Sequence, residues 1–209
     1  MIDEQVRRVI ARPVQWAAGV LDVSWITPNR LTLVGMTIGL ASAGLAAAQL
    51  WIPALIAWLA CRVFDGLDGA LARRRRSAEQ PDHGSEVGGF LDIIADFAVY
   101  GATVFGVAVG ASNGFDAPWW PFLLVLLGYY LNGAAFLAFS SIAERTGRQI
   151  EDGRALSFLG RIAEGSETIV VHSLWLILPW FAWQIALVWA GFVLVSAAQR
   201  VVSAVRILR

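Results

Sequence analysis

There is no lysine in this chain; all 16 basic residues are arginine. That excludes a Walker-type phosphate loop, which depends on its lysine, and no dinucleotide fingerprint, zinc motif or nucleophile elbow is present either. The single cysteine, Cys61, cannot form an internal disulfide and reads as a small buried apolar side chain rather than a redox group. Histidine is equally scarce. His83 has no ligand-spaced partner, and His172 sits in an apolar run, where a lone histidine is expected to be a hydrogen-bond partner between helices. Charged residues make up only 15% of the chain, and the net charge of zero points to no particular partner. Internal repeats and low-complexity tracts are also missing.

What is present is apolar. The 209 residues are 57% hydrophobic with ten Trp, and the mean hydropathy is +0.62. This is the composition of an integral membrane protein, with tryptophans available as interfacial anchors. The pattern predicts an all-α protein with six transmembrane helices, each near the roughly 20 residues that a bilayer requires. They cover about 30–49, 52–73, 86–110, 119–144, 165–180 and 181–208. Residues 2–24 read as an amphipathic juxtamembrane helix rather than a cleavable signal, with Arg7, Arg8 and Arg12 beside Val6, Val9, Ile10, Val14 and Trp16. The expected organisation is an amphipathic N-terminal segment over 1–29 and a six-helix membrane domain over 30–209.

The arginines orient this bundle. The N-terminal segment up to Arg30 at the start of the first span, the 73–86 loop, the 144–164 loop and the C-terminus hold all of them except Arg62. The positive-inside rule then puts both termini and both arginine-bearing loops in the cytoplasm. Arg74, Arg75 and Arg76 abut a span, so they read as a topogenic run facing anionic lipid rather than as a nucleic-acid patch. No nucleic-acid partner is expected.

Against this background four carboxylates stand out. Asp65 and Asp68 are three apart, and Asp92 and Asp96 are four apart, so each pair lies on one helix face. At 1.5 Å per residue, Asp68 and Asp92 lie about 8 and 9 Å inside the polar ends marked by Arg73 and Glu86, and Asp65 and Asp96 about 12 and 15 Å inside. Two antiparallel helices would bring all four to one level on the cytoplasmic side. A carboxylate at the centre of a span costs about 2.5–3.5 kcal/mol on insertion scales. Hard divalent cations, which favour oxygen ligands, are the natural counter-charge.

Gly66, Gly69, Gly88 and Gly89 adjoin the acidic positions and allow a bulky anion or a neighbouring helix to approach the backbone. Metals, close backbone and Arg73 at the rim suit a pyrophosphate. Two metals could clamp the attacking and leaving oxygens of a phosphoryl transfer, and a carboxylate not saturated by metal could take a proton from an attacking hydroxyl. The alternative is a membrane metal or ion transporter using the same four Asp as its site. Transport sites usually lie near the midplane between repeated halves, which this cluster does not.

The run Asp65, Asp68-Gly69, Ala72-Arg73, Gly88, Asp92, Asp96 resembles the signature of the CDP-alcohol phosphotransferase (CDP-alcohol phosphatidyltransferase) family, with every fixed position present. Thr27-Pro28-Asn29 is similar to the segment that precedes the family's first span, and the resemblance extends over the six-helix plan. One departure is the 14-residue spacer between Arg73 and Gly88, longer than is usual in the family. The resemblance implies that Asp65, Asp68, Asp92 and Asp96 ligate two divalent ions, Mg²⁺ or Mn²⁺, and that Asp96 is also the general base. It implies that Asn29, Asp68, Gly69, Ala72 and Arg73 face the nucleotide. The implied reaction moves a substituted phosphate group from a CDP-linked lipid to an acceptor alcohol with release of CMP. A homodimer in a bacterial cell (inner) membrane, with the site facing the cytoplasm, is implied as well.

For the acceptor, Arg145, Arg148, Arg154, Arg161 and Arg200 border the expected cytoplasmic mouth, and Arg145, Arg161 and Arg200 are the candidate ligands. Inositol-phosphate-using members resemble a Glu-Arg-Pro-Glu-Arg run near 164–168, where this chain has Gly165 and Thr168 at the arginine positions. Glu164 and Glu167 are expected to orient Arg161 or to favour the helix start electrostatically. Arg62 is expected to pair with Asp65 or with a lipid phosphate. Tyr129, Tyr130 and Asn132 are expected to pack, with contact to the acceptor as the alternative.

Overall fold

A computed structural model describes residues 13–78, 86–146 and 165–208. Every regular element among them is helical. We number them α1 (13–20), α2 (Pro28–Ala47), α3 (Trp51–Ala78), α4 (Glu86–Phe115), α5 (Trp120–Arg145), α6 (Gly165–Ile177) and α7 (Ala182–Leu208), with a short 3-10 turn at Pro179–Phe181. The chain divides into two compact units, Met1–Gly110 and Ala111–Arg209.

In the first unit, α2 starts where Thr27 caps it: its side chain accepts a bond from the Arg30 amide at 3.3 Å, and Pro28 follows in the first turn. Ala48 leaves the helix and Gln49 takes φ 62°, which closes the tight turn into α3. Ser42 donates to the Ala54 carbonyl at 2.7 Å, tying the two helices beside that turn. A Cβ on Gly106 or Gly110 would collide with the α2 backbone at Ala43 or Ala46, so α4 lies directly against α2. A Cβ on Gly39 would strike Val99 and the Cys61 sulfur. Small residues at these positions allow the helices to approach this closely. Buried Trp58, Leu71, Val99, Val104 and Val107 fill the unit, and Cys61 is buried and free.

Val14, Ala17 and Leu21 pack on a cluster of Leu31, Leu67 and Leu71, leaving Trp16 and Trp25 exposed. Residues 2–12 of the expected amphipathic helix lie outside the described residues. Helix α3 runs on to Ala78, through the arginine run expected to be loop. Arginine and alanine are good helix formers, and Arg74 and Arg75 are anchored. Both bond Asp22, at 3.1 and 2.9 Å, and Arg75 also donates to the carbonyls of Val23 and Ile26 at 3.0 and 2.9 Å. The Arg75 and Arg74 guanidiniums hold the Asp22 carboxyl below the usual carboxylate range. His83 and the rest of the long spacer, 79–85, lie outside the described residues.

In the second unit, a Cβ on Gly128 of α5 would press on Val193 of α7, and Asn132 donates to the Val193 carbonyl at 3.0 Å. Trp189 donates to the Tyr129 hydroxyl at 2.8 Å, and that hydroxyl lies 2.9 Å from Nε2 of fully buried His172. Tyr129, Asn132 and His172 thus do the packing work expected of them, whereas Tyr130 points outward. The expected boundary at 180–181 falls earlier. Helix α6 ends at Ile177, and Pro179, which has no amide hydrogen, opens the short turn that leads into α7.

Among the described residues, four segments are long and apolar enough to cross a membrane: Pro28–Ala47, Glu86–Phe115, Trp120–Arg145 and Pro179–Leu208. Their exposed side chains include Leu40, Phe97, Phe105, Leu123, Val188 and Phe192, a surface matched to lipid rather than water. Helix α3 does not qualify, because Arg62, Asp65, Asp68 and the arginines beyond lower its hydropathy.

Candidate active site

The acidic residues belong to two helices of the first unit. Asp65 and Asp68 lie one turn apart on α3, and Asp92 and Asp96 one turn apart on α4. One oxygen each from Asp65, Asp68 and Asp92 falls within 4.8 Å of the others. Oxygens bound to one Mg²⁺ at about 2.0–2.1 Å can stand about 4.2 Å apart, so small rotamer changes would let the three reach a single ion. The donor set, three hard oxygens and no nitrogen or sulfur, fits Mg²⁺ or Mn²⁺. Asp68 is the buried member at 5% exposure, and Asp92 is exposed.

Each α3 carboxylate has a positioning contact. The Thr32 hydroxyl on α2 donates to Asp68 Oδ2 at 2.5 Å, and the same hydroxyl lies 3.1 Å from the carbonyl of Pro28, one turn back. Asp65 has Arg62 beside it, with a guanidinium nitrogen 3.7 Å from Oδ2. The stronger partner of Arg62 is across the helix interface. Its NH1 lies 3.0 Å from Asp96 Oδ1 and 3.0 Å from the Tyr100 hydroxyl, and its NH2 lies 3.1 Å from the Cys61 sulfur. The guanidinium carbon stands 5.1 Å from the Trp58 ring centre and 5.0 Å from that of Tyr100. Such cation–π contacts contribute about 0.5–2 kcal/mol each, more as water is excluded. The Arg62 side chain is only 9% exposed, whereas those of Asp65 and Asp96 are 39% and 37% exposed. Asp96 therefore stands apart from the three-carboxylate group, held by an arginine.

Of the other residues named from the sequence, Asn29 lies in the first turn of α2, on the same face as Thr32 three residues on. Gly69 sits under Arg73, whose NH1 would be 3.2 Å from an added Cβ. Ala72 is half-buried and Arg73 exposed at the same end of α3. Beside Gly66 and Gly89 an added Cβ would meet nothing within 4 Å, so the space next to those backbones is open. Arg145 is exposed in the last turn of α5, and Arg200 on α7 lies over the Phe136 ring at 5.7 Å, both in the second unit. Arg148, Arg154, Arg161 and Glu164 lie outside the described residues. Glu167 accepts a bond from Ser166 at 3.0 Å in the first turn of α6.

The sequence reading missed Thr32, Trp58 and Tyr100, and it gave Arg62 either Asp65 or a lipid phosphate as partner; Asp65 does lie beside it at 3.7 Å, but Asp96 is closer at 3.0 Å. Only the placement of Arg62 before an acidic pair inside a span hinted at such a clamp.

A sequence profile of the CDP-alcohol phosphatidyltransferase family matches residues 25–197. The inner membrane protein YnjF of Escherichia coli K12 is 33% identical over 219 aligned positions, covering 96% of this chain and all of that protein. The archaetidylinositol phosphate synthase of Pyrococcus horikoshii is 32% identical over 127 positions, 61% of this chain and 62% of that one. Among solved structures, a Mycobacterium tuberculosis phosphatidylinositol phosphate synthase with CDP-DAG bound shares the fold. Its TM-score is 0.64 at 21% identity, and the match covers 93% of this chain and 91% of that one.

Proposed function

The chain belongs to the CDP-alcohol phosphatidyltransferase family and is a membrane phosphotransferase, and on that premise we propose how its residues divide the work. The donor is a CDP-linked lipid. The acceptor hydroxyl attacks the phosphorus that bears the lipid alcohol, the bond from that phosphorus to the CMP oxygen breaks, and CMP leaves. Asp96 takes the hydroxyl proton. Asn29, Asp68, Gly69, Ala72 and Arg73 hold the nucleotide, and the open backbone at Gly66 and Gly89 leaves room for the pyrophosphate.

The observation that carries this reading is the convergence of Asp65, Asp68 and Asp92 oxygens within 4.8 Å. These three would hold one divalent ion, and Asp96 would join them at a second. The chemistry that Mg²⁺ or Mn²⁺ supplies when bound is neutralisation of charge on the pyrophosphate oxygens. Arg145, Arg161 and Arg200 serve the acceptor and suit a phosphorylated alcohol. Two relatives are named for inositol phosphate lipids, but Gly165 and Thr168 here favour a different acceptor. In this reading α3 and α6 bring the crossings to six, the protein is a homodimer of a bacterial inner membrane, and both termini and the site face the cytoplasm.

Incubating the purified protein with CDP-diacylglycerol, Mg²⁺ and a panel of alcohols tests the proposal. The panel holds glycerol phosphate, inositol phosphate, free inositol and an amino alcohol. A new lipid mass with stoichiometric CMP is expected. Metal flux in proteoliposomes without CMP would favour the transporter reading instead.

A further inference from the structure

We propose that Arg62 is a positioning residue that holds Asp96 apart from the group formed by Asp65, Asp68 and Asp92 and aims it as the base. The inference rests on the reading of Asp96 just given. A carboxylate one turn from Asp92 would be expected to join the nearby acidic group once a cation enters it. Here its Oδ1 is held at 3.0 Å by Arg62, both of whose terminal nitrogens are engaged. Trp58 and Tyr100 lie against the guanidinium, the Tyr100 hydroxyl takes a bond at 3.0 Å, and the Cys61 sulfur takes another at 3.1 Å. The arginine is nearly buried and Asp96 is not, so the cation is the anchor and the carboxylate is what it holds. NH1 serves Asp96 and Tyr100 while NH2 reaches the Cys61 sulfur, a planar two-nitrogen spread that the single ammonium nitrogen of a lysine cannot match. Asp65, at 3.7 Å, gains only a neighbouring charge and keeps its oxygens for the ligand group. Four carboxylates that the sequence makes look equivalent are thereby divided into three and one.

The test is a double-mutant cycle with a metal-binding readout. Arg62→Met keeps an apolar stem against Trp58 and Tyr100 but removes the charge and the donors. It is expected to lower kcat at least tenfold while KM for CDP-diacylglycerol stays within about twofold. Mn²⁺ affinity, measured by electron paramagnetic resonance without substrate, should hold or tighten, because a cation has been removed beside three carboxylates and Asp96 is released to them. Arg62→Lys should restore part of kcat. In an Asp96→Asn background, Arg62→Met should cost nothing further, since the pair acts as one unit. Arg62→Gln takes its place in the same cycle if Arg62→Met does not fold. Wild-type kcat in the single variant, a loss that multiplies with that of Asp96→Asn, or Mn²⁺ binding that falls in step with turnover would each overturn the proposal. Wild-type turnover in Asp96→Asn alone would instead overturn the base assignment on which it rests.

Discussion

The two units of this protein differ in the polar groups gathered between their helices. Met1–Gly110 buries the neutral Thr32, Ser42 and Thr103, but its polar cluster is charged: three carboxylates face one another and a buried arginine holds a fourth. In Ala111–Arg209 the bonded interior is neutral, with Tyr129, His172, Trp189 and Asn132 joined across helices. Neutral pairs of this kind contribute about 0.6 kcal/mol on average in membrane proteins and specify packing. A cluster of like charges opposes packing and persists where a ligand needs it. The contrast separates the polar residues that do chemistry from those that hold helices together, though both sit in apolar runs of the same kind.

The largest effect should come from the charged cluster. Asp65→Asn, Asp68→Asn or Asp92→Asn should lower turnover at least about 10²-fold by loosening the metals, while the protein inserts as before because a costly anion has been removed. Assays of CMP release and Mn²⁺ binding on the purified variants check this. Full activity with unchanged metal affinity in all three would erase the distinction between the units.

Helix contacts offer the next comparison. Gly106→Ala places a methyl against the fixed backbone of Ala43, whereas Gly128→Ala places one against the Val193 side chain, which can turn aside. Overpacking costs about 1–3 kcal/mol, and Gly106→Ala should take the upper part of that range and Gly128→Ala less. Thermal unfolding in detergent measures both. Equal losses would mean that the two units tolerate added volume alike.

Much of this was legible in the sequence. Helical periodicity and hydropathy are local properties, and the i,i+3 and i,i+4 spacing of the acids follows from the helix itself. Hence the helical class and the pairing of acids on α3 and α4 could be read directly. What could not be read depends on register between distant segments. Arg62 reaches Asp96 across 34 positions and Thr32 reaches Asp68 across 36, and no periodicity encodes either. The α3 extension to Ala78 was hidden for another reason: a charge run reads as loop unless the partner that anchors it, Asp22, is known.

A smaller effect should come from the neutral network. Tyr129→Phe removes the hydroxyl between His172 and Trp189 and should cost about 1 kcal/mol of stability, with kcat for CMP release unchanged. A Tyr129→Phe enzyme as stable as wild type but catalytically impaired would move this network into the active machinery.

The smallest effect lies at the surface. Asp22 is held below its ordinary value of 3.8, so its contribution to stability is present above that value and is lost as pH falls below it. The pH profile of thermal stability should therefore be flat above about pH 4 in this respect, and Asp22→Asn should remove part of the acid-side decline. Added salt should shrink the difference between the two proteins, because the group is exposed. Identical acid limbs at low ionic strength would show that the clamp is idle.

The Thr32 hydroxyl has one hydrogen and two acceptors within reach, Asp68 Oδ2 and the carbonyl of Pro28. When Asp68 gives its lone pairs to an incoming cation, the hydroxyl can rotate about χ1 or its C–O bond and bond back to its own helix, as threonines in helices commonly do. No buried donor is stranded in either orientation, so the loading of this carboxylate carries no penalty for an orphaned hydrogen. Thr32→Val, nearly identical in shape, would leave Asp68 without its donor in one orientation only, and would thus separate the unloaded site from the loaded one.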